Sequence, residues 1–192
     1  PNQLRKVLYN SWEATGFGVN VKEQKKLAEI AAGIGVELFV VDDGWFHKRN
    51  SDQAGLGDWW ADEEKFPTGL QELSGYVHGL GMDFGLWIEP EMVSPNSDLC
   101  RNHPEWILSY PHRKFTLARN QSILNMAIPE VRDYLYEKIS KVLIENDVSF
   151  VKWDMNRNVS EAGWKRNGSE EPKEIWIKYV EGLYALWERF SI

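Results

Sequence analysis

The sequence is poor in the features that announce several common protein classes. Cys100 is its only cysteine, so no disulfide framework and no cysteine-rich metal site can be built. The four histidines, His47, His78, His103 and His112, show no close ligand spacing of the H-E-x-x-H kind. No apolar run approaches the roughly 20 residues needed to cross a bilayer. Positive charge is in deficit, with 22 basic against 29 acidic residues and a net charge of -7. Phosphate backbones are held by basic faces, so nucleic acid is not an expected partner, and neither is a membrane. No Gly-x-Gly-x-x-Gly follows the first predicted strand and no P-loop occurs, which removes the main support for a nucleotide site.

What is abundant is aromatic surface: ten tryptophans, eight phenylalanines and seven tyrosines in 192 residues. Two readings of that excess stand side by side. It can be a bulky core, or it can be sugar binding, because the C–H face of a pyranose packs flat on an indole. A hydrophobic fraction of 43% and a mean hydropathy of -0.47 fit a soluble globular chain. The chain starts at Pro1 and stops directly after a helical pattern, and we expect it to be a segment of a longer protein.

Apolar periodicity and punctuation give the organisation. Residues 5–12 read as a short strand. Asn20 with Glu23 three residues on has the form of a capping box, predicting a helix from Val21 that Gly33 and Gly35 stop. Residues 37–41 are a continuous β-favouring run, as in a strand buried on both faces. Leu70, Leu73, Val77 and Leu80 mark a second helix, and residues 82–88 a third strand. Within the long connection from Met92 to Ile128 a further short strand is expected near 121–125. Pro129 suits the first turn of a third helix. Residues 148–153 form a fourth strand, and Pro172 opens a fourth helix with Ile175, Tyr179, Leu183, Leu186 and Phe190 facing inward.

This β-α-β-α-β-α-β-α order implies an α/β protein with a parallel sheet and helical crossovers. A (β/α)8 TIM barrel runs to about 250 residues. Four units over residues 1–192 would be a single segment holding roughly half of such a barrel, with the first and fourth strands as open edges. An isolated segment of this kind is expected to be poorly stable.

Charge and aromatic groups collect where the predicted strands end: Trp12, then Asp42-Asp43, then Trp87 with Glu89 and Glu91, then Lys152 and Asp154. Barrel enzymes place their sites at that rim. A hydrated cation fits poorly beside so many indoles and a lysine, so neither a metal nor another cofactor is expected. A sugar site fits better: carboxylates accept from neighbouring hydroxyls and indoles pack the ring. A carboxylate held ionised by an adjacent lysine suits a nucleophile, and retaining glycoside hydrolysis uses one. Singly, each residue has a plainer account. Asp154 could be a strand-end carboxylate paired with Lys152, Asp42-Asp43-Gly44 could be an ordinary turn, and Trp12 and Trp87 could be core.

Five motifs in order change that balance: Asp42-Asp43-Gly44-Trp45, Gly57-Asp58-Trp59-Trp60, Trp87-Ile88-Glu89-Pro90-Glu91-Met92-Val93, Arg119-Asn120-Gln121 and Lys152-Trp153-Asp154-Met155-Asn156-Arg157. Together they resemble the catalytic domain of glycoside hydrolase family 36 α-galactosidases, over essentially the whole chain. The resemblance implies the N-terminal half of a (β/α)8 barrel. It implies a retaining enzyme that removes terminal α-linked galactose from oligosaccharides of the raffinose and melibiose type.

By the same resemblance Asp154 is the nucleophile. Trp12, Asp42, Asp43, Trp87, Arg119 and Lys152 are sugar-binding residues. Trp45, Trp59, Trp60, Glu89 and Asn156 are further candidates, with Trp45, Trp59 and Trp60 open between loop packing and sugar contact, and Glu89 a rival nucleophile. Trp106, Trp164, Trp176 and Trp187 are read as packing. The family's acid/base aspartate matches nothing within these residues, so the segment alone is expected to be inactive. Asn125 and Asn158 depart from the family pattern, where aspartate and histidine are frequent.

The family also implies a cytoplasmic location, as in bacterial members, and a homo-oligomeric full-length protein. Transglycosylation and α-N-acetylgalactosaminidase activity are same-class alternatives. A non-catalytic carbohydrate-binding or assembly fragment, and a metal-dependent sugar enzyme on a similar barrel, are alternatives of other classes.

Overall fold

The computed structural model describes residues 4–110, 113, 116–160, 162–164 and 174–191. The predicted positions of Pro172 and of the polar loop at 167–169 lie outside that set. The described chain divides into two compact units. One draws on Pro1–Ser51, Trp59–Ile88 and Lys141–Asp154; the other draws on Asp52–Asp58, Glu89–Ser140 and Met155–Ile192.

The first unit holds a four-stranded parallel sheet. Its strands are β1 (Leu8–Asn10), β2 (Leu38–Val41), β3 (Asp83–Ile88) and β6 (Phe150–Trp153), in the order β1-β2-β3-β6. Helices α2 (Val21–Gly33) and α3 (Gln71–Gly79) make the crossovers, and α5 (Pro129–Glu145) runs up to β6. Sheet and alternating helices are those of the first βα units of a (β/α)8 barrel. As expected of a two-faced buried strand, all four residues of Leu38-Phe39-Val40-Val41 are buried. The two outer strands are β1 and β6, and both are more open, with Leu8 and Phe150 exposed.

Local chemistry sets the helix ends. The Asn20 side chain accepts from the Glu23 backbone N–H at 3.0 Å and donates back to the Glu23 carboxylate at 3.3 Å. The first bond is the N-cap half of the predicted capping box, worth about 1 kcal/mol; the return bond runs from the Asn20 side-chain amide and not, as in the full box, from its backbone N–H. Pro129 opens α5 as its missing N–H allows, and Val131, Leu135, Ile139 and Val142 form the buried stripe.

Trp12, read as the end of the first strand, instead begins the short helix α1 (Trp12–Thr15). The reason is local: Asn10 Oδ1 accepts the Trp12 backbone N–H at 2.9 Å, turning the chain out of the strand.

The second unit holds the antiparallel pair β4 (Met92–Val93) and β5 (Ser122–Ile123), the short helix α4 (Asp98–Asn102), and α6 (Glu174–Phe190). Strand β5 answers to the expectation of a short strand there; β4 and α4 were not anticipated. One stripe of α6, with Ile175, Tyr179, Gly182 and Leu186, is buried. The Tyr179 hydroxyl bonds the buried Glu91 carboxylate, and burial beside that charge raises the phenol's pKa. Arg189 pairs with Asp133 at 2.7 Å. Trp176 and Trp187, read as packing, are exposed here at 49% and 40%. They share an exposed apolar side of α6 with Ile177, Val180 and Tyr184.

Candidate active site

In a parallel sheet every strand ends on the same edge, so the residues that follow the strands of the first unit are brought together by topology. Asn10 ends β1, Asp42 and Asp43 follow β2, Trp87 lies near the end of β3, Lys152 lies one residue before the end of β6, and Asp154 follows it. Register aligns Trp87 with Lys152 and Ile88 with Trp153. The Asp154 backbone N–H continues the ladder to the Ile88 carbonyl at 2.9 Å.

Asp42 is the centre of the polar contacts. It is 3% exposed. Its Oδ2 accepts from Lys152 Nζ at 2.7 Å and from Asn10 Nδ2 at 2.6 Å. Its Oδ1 accepts the Asp43 N–H at 2.8 Å, and its own N–H donates to Ser11 Oγ at 2.9 Å. A buried carboxylate needs this much company to stay charged without large cost.

The lysine therefore has a different partner from the one expected. The sequence suggested that Lys152 lies beside Asp154, two residues on, and holds it ionised. Both project from the same strand face, but the Lys152 head reaches across the sheet to Asp42. Asp154 Oδ2 instead accepts the indole N–H of Trp87 at 2.9 Å.

Asp43 is gripped by Arg49. The guanidinium donates through Nε to Oδ1 at 2.9 Å and through Nη2 to Oδ2 at 2.8 Å, with the arginine side chain 2% exposed. Burial pushes the Asp43 carboxyl above the ordinary aspartate range, and the bonds and charge of Arg49 act against that push. Sequence reading missed Asn10, Ser11 and Arg49. A polar residue at a strand end was the available signal for the first two, and a cation six residues after Asp43 for Arg49.

The tryptophans divide. Trp12 is exposed, its ring edge-on to Phe17 at 5.2 Å. Trp87 is 2% exposed and lies nearly parallel to Phe46, with centroids 6.2 Å apart. Trp45 and Trp59, left open between packing and sugar contact, both pack: each is 1% exposed and each meets Phe46. Trp45 Nε1 donates to the Trp87 carbonyl at 2.9 Å, bracing the residue that bonds Asp154. Trp60 is half-buried and stacks on His47 at 5.0 Å.

Arg119, Glu89 and Asn156 belong to the second unit. Arg119 and Asn120 both adopt left-handed backbone, with φ of 52° and 58°. The turn closes through the Gln121 N–H to the Ala118 carbonyl at 3.1 Å. Arg119 Nη1 donates to Asn156 Oδ1 at 3.3 Å, and Asn120 Nδ2 donates to Asp52 at 3.1 Å. Glu89 is fully buried. It accepts from Gln121 Nε2 at 3.1 Å and from the Asn156 backbone N–H. A carboxylate so enclosed ties the segments of Gln121 and Asn156 together. Arg157 is buried too, donating to the Thr116 and Gln121 carbonyls at 3.0 and 2.5 Å.

The chain matches the Melibiase family over residues 1–192. It is 50% identical over 188 residues to an α-galactosidase of Escherichia coli, covering 98% of this chain and 26% of that protein. It is 44% identical over 187 residues to α-galactosidase AgaA of Geobacillus stearothermophilus, covering 97% and 26%. Among solved structures, it is similar to the α-galactosidase of Lactobacillus brevis with a TM-score of 0.95 and 43% identity, over 98% of this chain and 25% of that one. It is similar to a variant of AgaA in complex with raffinose with a TM-score of 0.92 and 43% identity, over 96% and 26%. The chain thus spans about a quarter of the length of the relatives it matches.

Proposed function

We propose a function on one premise: the chain belongs to the melibiase family, the α-galactosidases of glycoside hydrolase family 36. It supplies the nucleophile-bearing part of a retaining α-galactosidase of the relatives' length. That enzyme hydrolyses terminal α-D-galactosyl residues of oligosaccharides of the raffinose and melibiose type.

The observation that carries the reading is the placement of three carboxylates on one sheet edge with unlike surroundings. Asp42 and Asp43 are buried and each is matched to a cation, Lys152 and Arg49. Those are fixed acceptors for sugar hydroxyls. Asp154 is less buried and accepts a neutral indole N–H. In the first step an Asp154 carboxylate oxygen attacks the anomeric carbon, the glycosidic C–O bond breaks, and the leaving oxygen takes a proton from an acid. In the second, water, deprotonated by that same group, displaces Asp154 from the covalent galactosyl–enzyme, and configuration is retained. No residue of this chain resembles the required acid/base, so the 192 residues alone should not turn over.

Two proteins decide the matter, this chain and a full-length protein containing it. With a nitrophenyl α-galactoside, turnover is expected from the longer one only. A mechanism-based fluorosugar of galacto configuration, followed by peptide mapping, should label Asp154. Label on any other carboxylate, or full activity after Asp154→Ala, would overturn the assignment.

A further inference from the structure

The turn that carries Asp42 and Asp43 is held from two directions by cations that the proposed chemistry does not use. Gly44 has a φ of +109°, and a Cβ there would lie 3.0 Å from the Phe17 Cα, so the turn accepts only glycine without movement. Lys65, from the loop beyond, donates to three backbone carbonyls: Phe17 at 3.1 Å, Gly44 at 2.7 Å and Arg49 at 2.7 Å. An ammonium has three N–H bonds, and all three are engaged in stitching residues 17, 44 and 49 together. Arg49, 1% exposed, is flanked by the Phe17 ring at 5.2 Å and the Phe46 ring at 5.7 Å, and its fork takes both oxygens of Asp43. The Gly44 backbone N–H gives the same carboxylate a third bond, so of its roughly four acceptor sites one remains for a ligand hydroxyl.

We propose that Arg49 and Lys65 are positioning residues of the sugar site. Lys65 fixes the backbone of the Asp42-Asp43-Gly44 turn, and Arg49 fixes the rotation of the Asp43 carboxylate so that its remaining acceptor site faces the ligand. The inference rests on the reading of Asp43 as an acceptor for a sugar hydroxyl. A bound hydroxyl meets the carboxylate in the ground state and the transition state alike. Loss of the fork should therefore weaken binding more than it slows chemistry.

The test uses the full-length protein with Arg49→Lys, Lys65→Met and Asp43→Asn. Steady-state kinetics on melibiose, galactose inhibition and thermal melts are recorded together. Lysine keeps the charge of Arg49 but cannot reproduce a planar fork. Arg49→Lys should raise KM and the galactose inhibition constant by about tenfold, with kcat within about twofold. Lys65→Met should change both constants in the same direction by less, and carries the test if Arg49→Lys does not fold. A fall in melting temperature with KM unchanged in both variants would make the two residues structural only and overturn the proposal. Asp43→Asn separates the two layers. If it raises KM while the cation variants do not, positioning fails and the sugar reading stands; if it leaves KM unchanged, both fail.

Discussion

The indole N–H of Trp87 donates to Asp154 Oδ2 over 2.9 Å, between the neighbouring strands β3 and β6. The bond fixes the carboxylate's rotation with a neutral donor, and the Trp87 carbonyl is in turn held by Trp45 Nε1. Phenylalanine at position 87 keeps a ring but removes the donor. A hydrogen bond to a charged group contributes about 1.5–3 kcal/mol. On the proposed reading of Asp154 as the nucleophile, Trp87→Phe in the full-length protein should lower kcat by roughly tenfold or more, since a misaligned nucleophile loses near-attack geometry. Single-turnover release of nitrophenol measures the step directly, and a rate unchanged from wild type would show that the bond has no part in it.

Lys152 belongs to Asp42. The pair is 2.7 Å apart, with the aspartate side chain 4% exposed and the lysine side chain 43% exposed. Breaking a fully buried pair costs about 3–5 kcal/mol, but one end here is partly in water, so about 1–2 kcal/mol of coupling is expected. A double-mutant cycle of Lys152→Met with Asp42→Asn, read by denaturant unfolding, isolates it. The cycle of Lys152→Met with Asp154→Asn should show clearly less. Coupling of equal size in both cycles would restore the lysine to Asp154.

What the sequence made legible follows from the range of the interactions. Alternation of apolar runs with helical periodicity is local, and it revealed the parallel sheet, the Asn20–Glu23 cap and the Pro129 helix start. Strand ends could be located, so Asp42, Asp43 and Asp154 could be named. The partner of Lys152 could not, because it depends on register across three strands, with lysine and aspartate 110 positions apart in the chain. Lys65 was hidden for a similar reason: its acceptors are carbonyls 16 to 48 residues away, and carbonyls leave no mark in a sequence. Trp45, Trp87, Trp176 and Trp187 are one residue type with opposite fates. Burial was set by which neighbour the fold supplied, and no composition count carries that.

Asp43 gives a pH dependence with a definite sign. Its carboxyl is raised, first by burial and then, more weakly, by the charge of Asp42, against Arg49. Lys65 also lies within its field, and Asp62 acts on Lys65; Lys152 is tied to Asp42. The folded state therefore keeps a proton that the unfolded chain releases at lower pH. The group's contribution to stability is complete below its unfolded pKa and is lost as pH rises through the folded one. Binding runs the other way, because the ionised carboxylate is the better acceptor. KM should rise as pH falls through a value above the ordinary aspartate range, and Asp43→Asn should remove that limb while flattening stability across the same window. Paired pH profiles of KM and of unfolding free energy test both; a limb that persists in Asp43→Asn belongs to another group.

Two glycines should respond oppositely to the same substitution. Gly75 lies inside α3, and a Cβ there meets nothing within 4 Å. Alanine at that position loses less backbone entropy on folding, so Gly75→Ala should stabilise by about 0.5–1 kcal/mol. Gly182 lies inside α6, where a Cβ would come to 2.0 Å from the Met126 carbonyl oxygen and 2.7 Å from its carbon. That neighbour is backbone, further held by Arg132 donating to the same oxygen at 2.6 Å, so it cannot swing aside as a side chain would. The helix must move off the turn, exposing part of the Ile175, Tyr179 and Leu186 stripe. Overpacking of this kind costs about 1–3 kcal/mol, which exceeds the roughly 1 kcal/mol propensity gain of alanine over glycine. Urea unfolding of the two variants should therefore move in opposite directions from wild type, and a stabilised Gly182→Ala would mean that α6 is not seated against Met126.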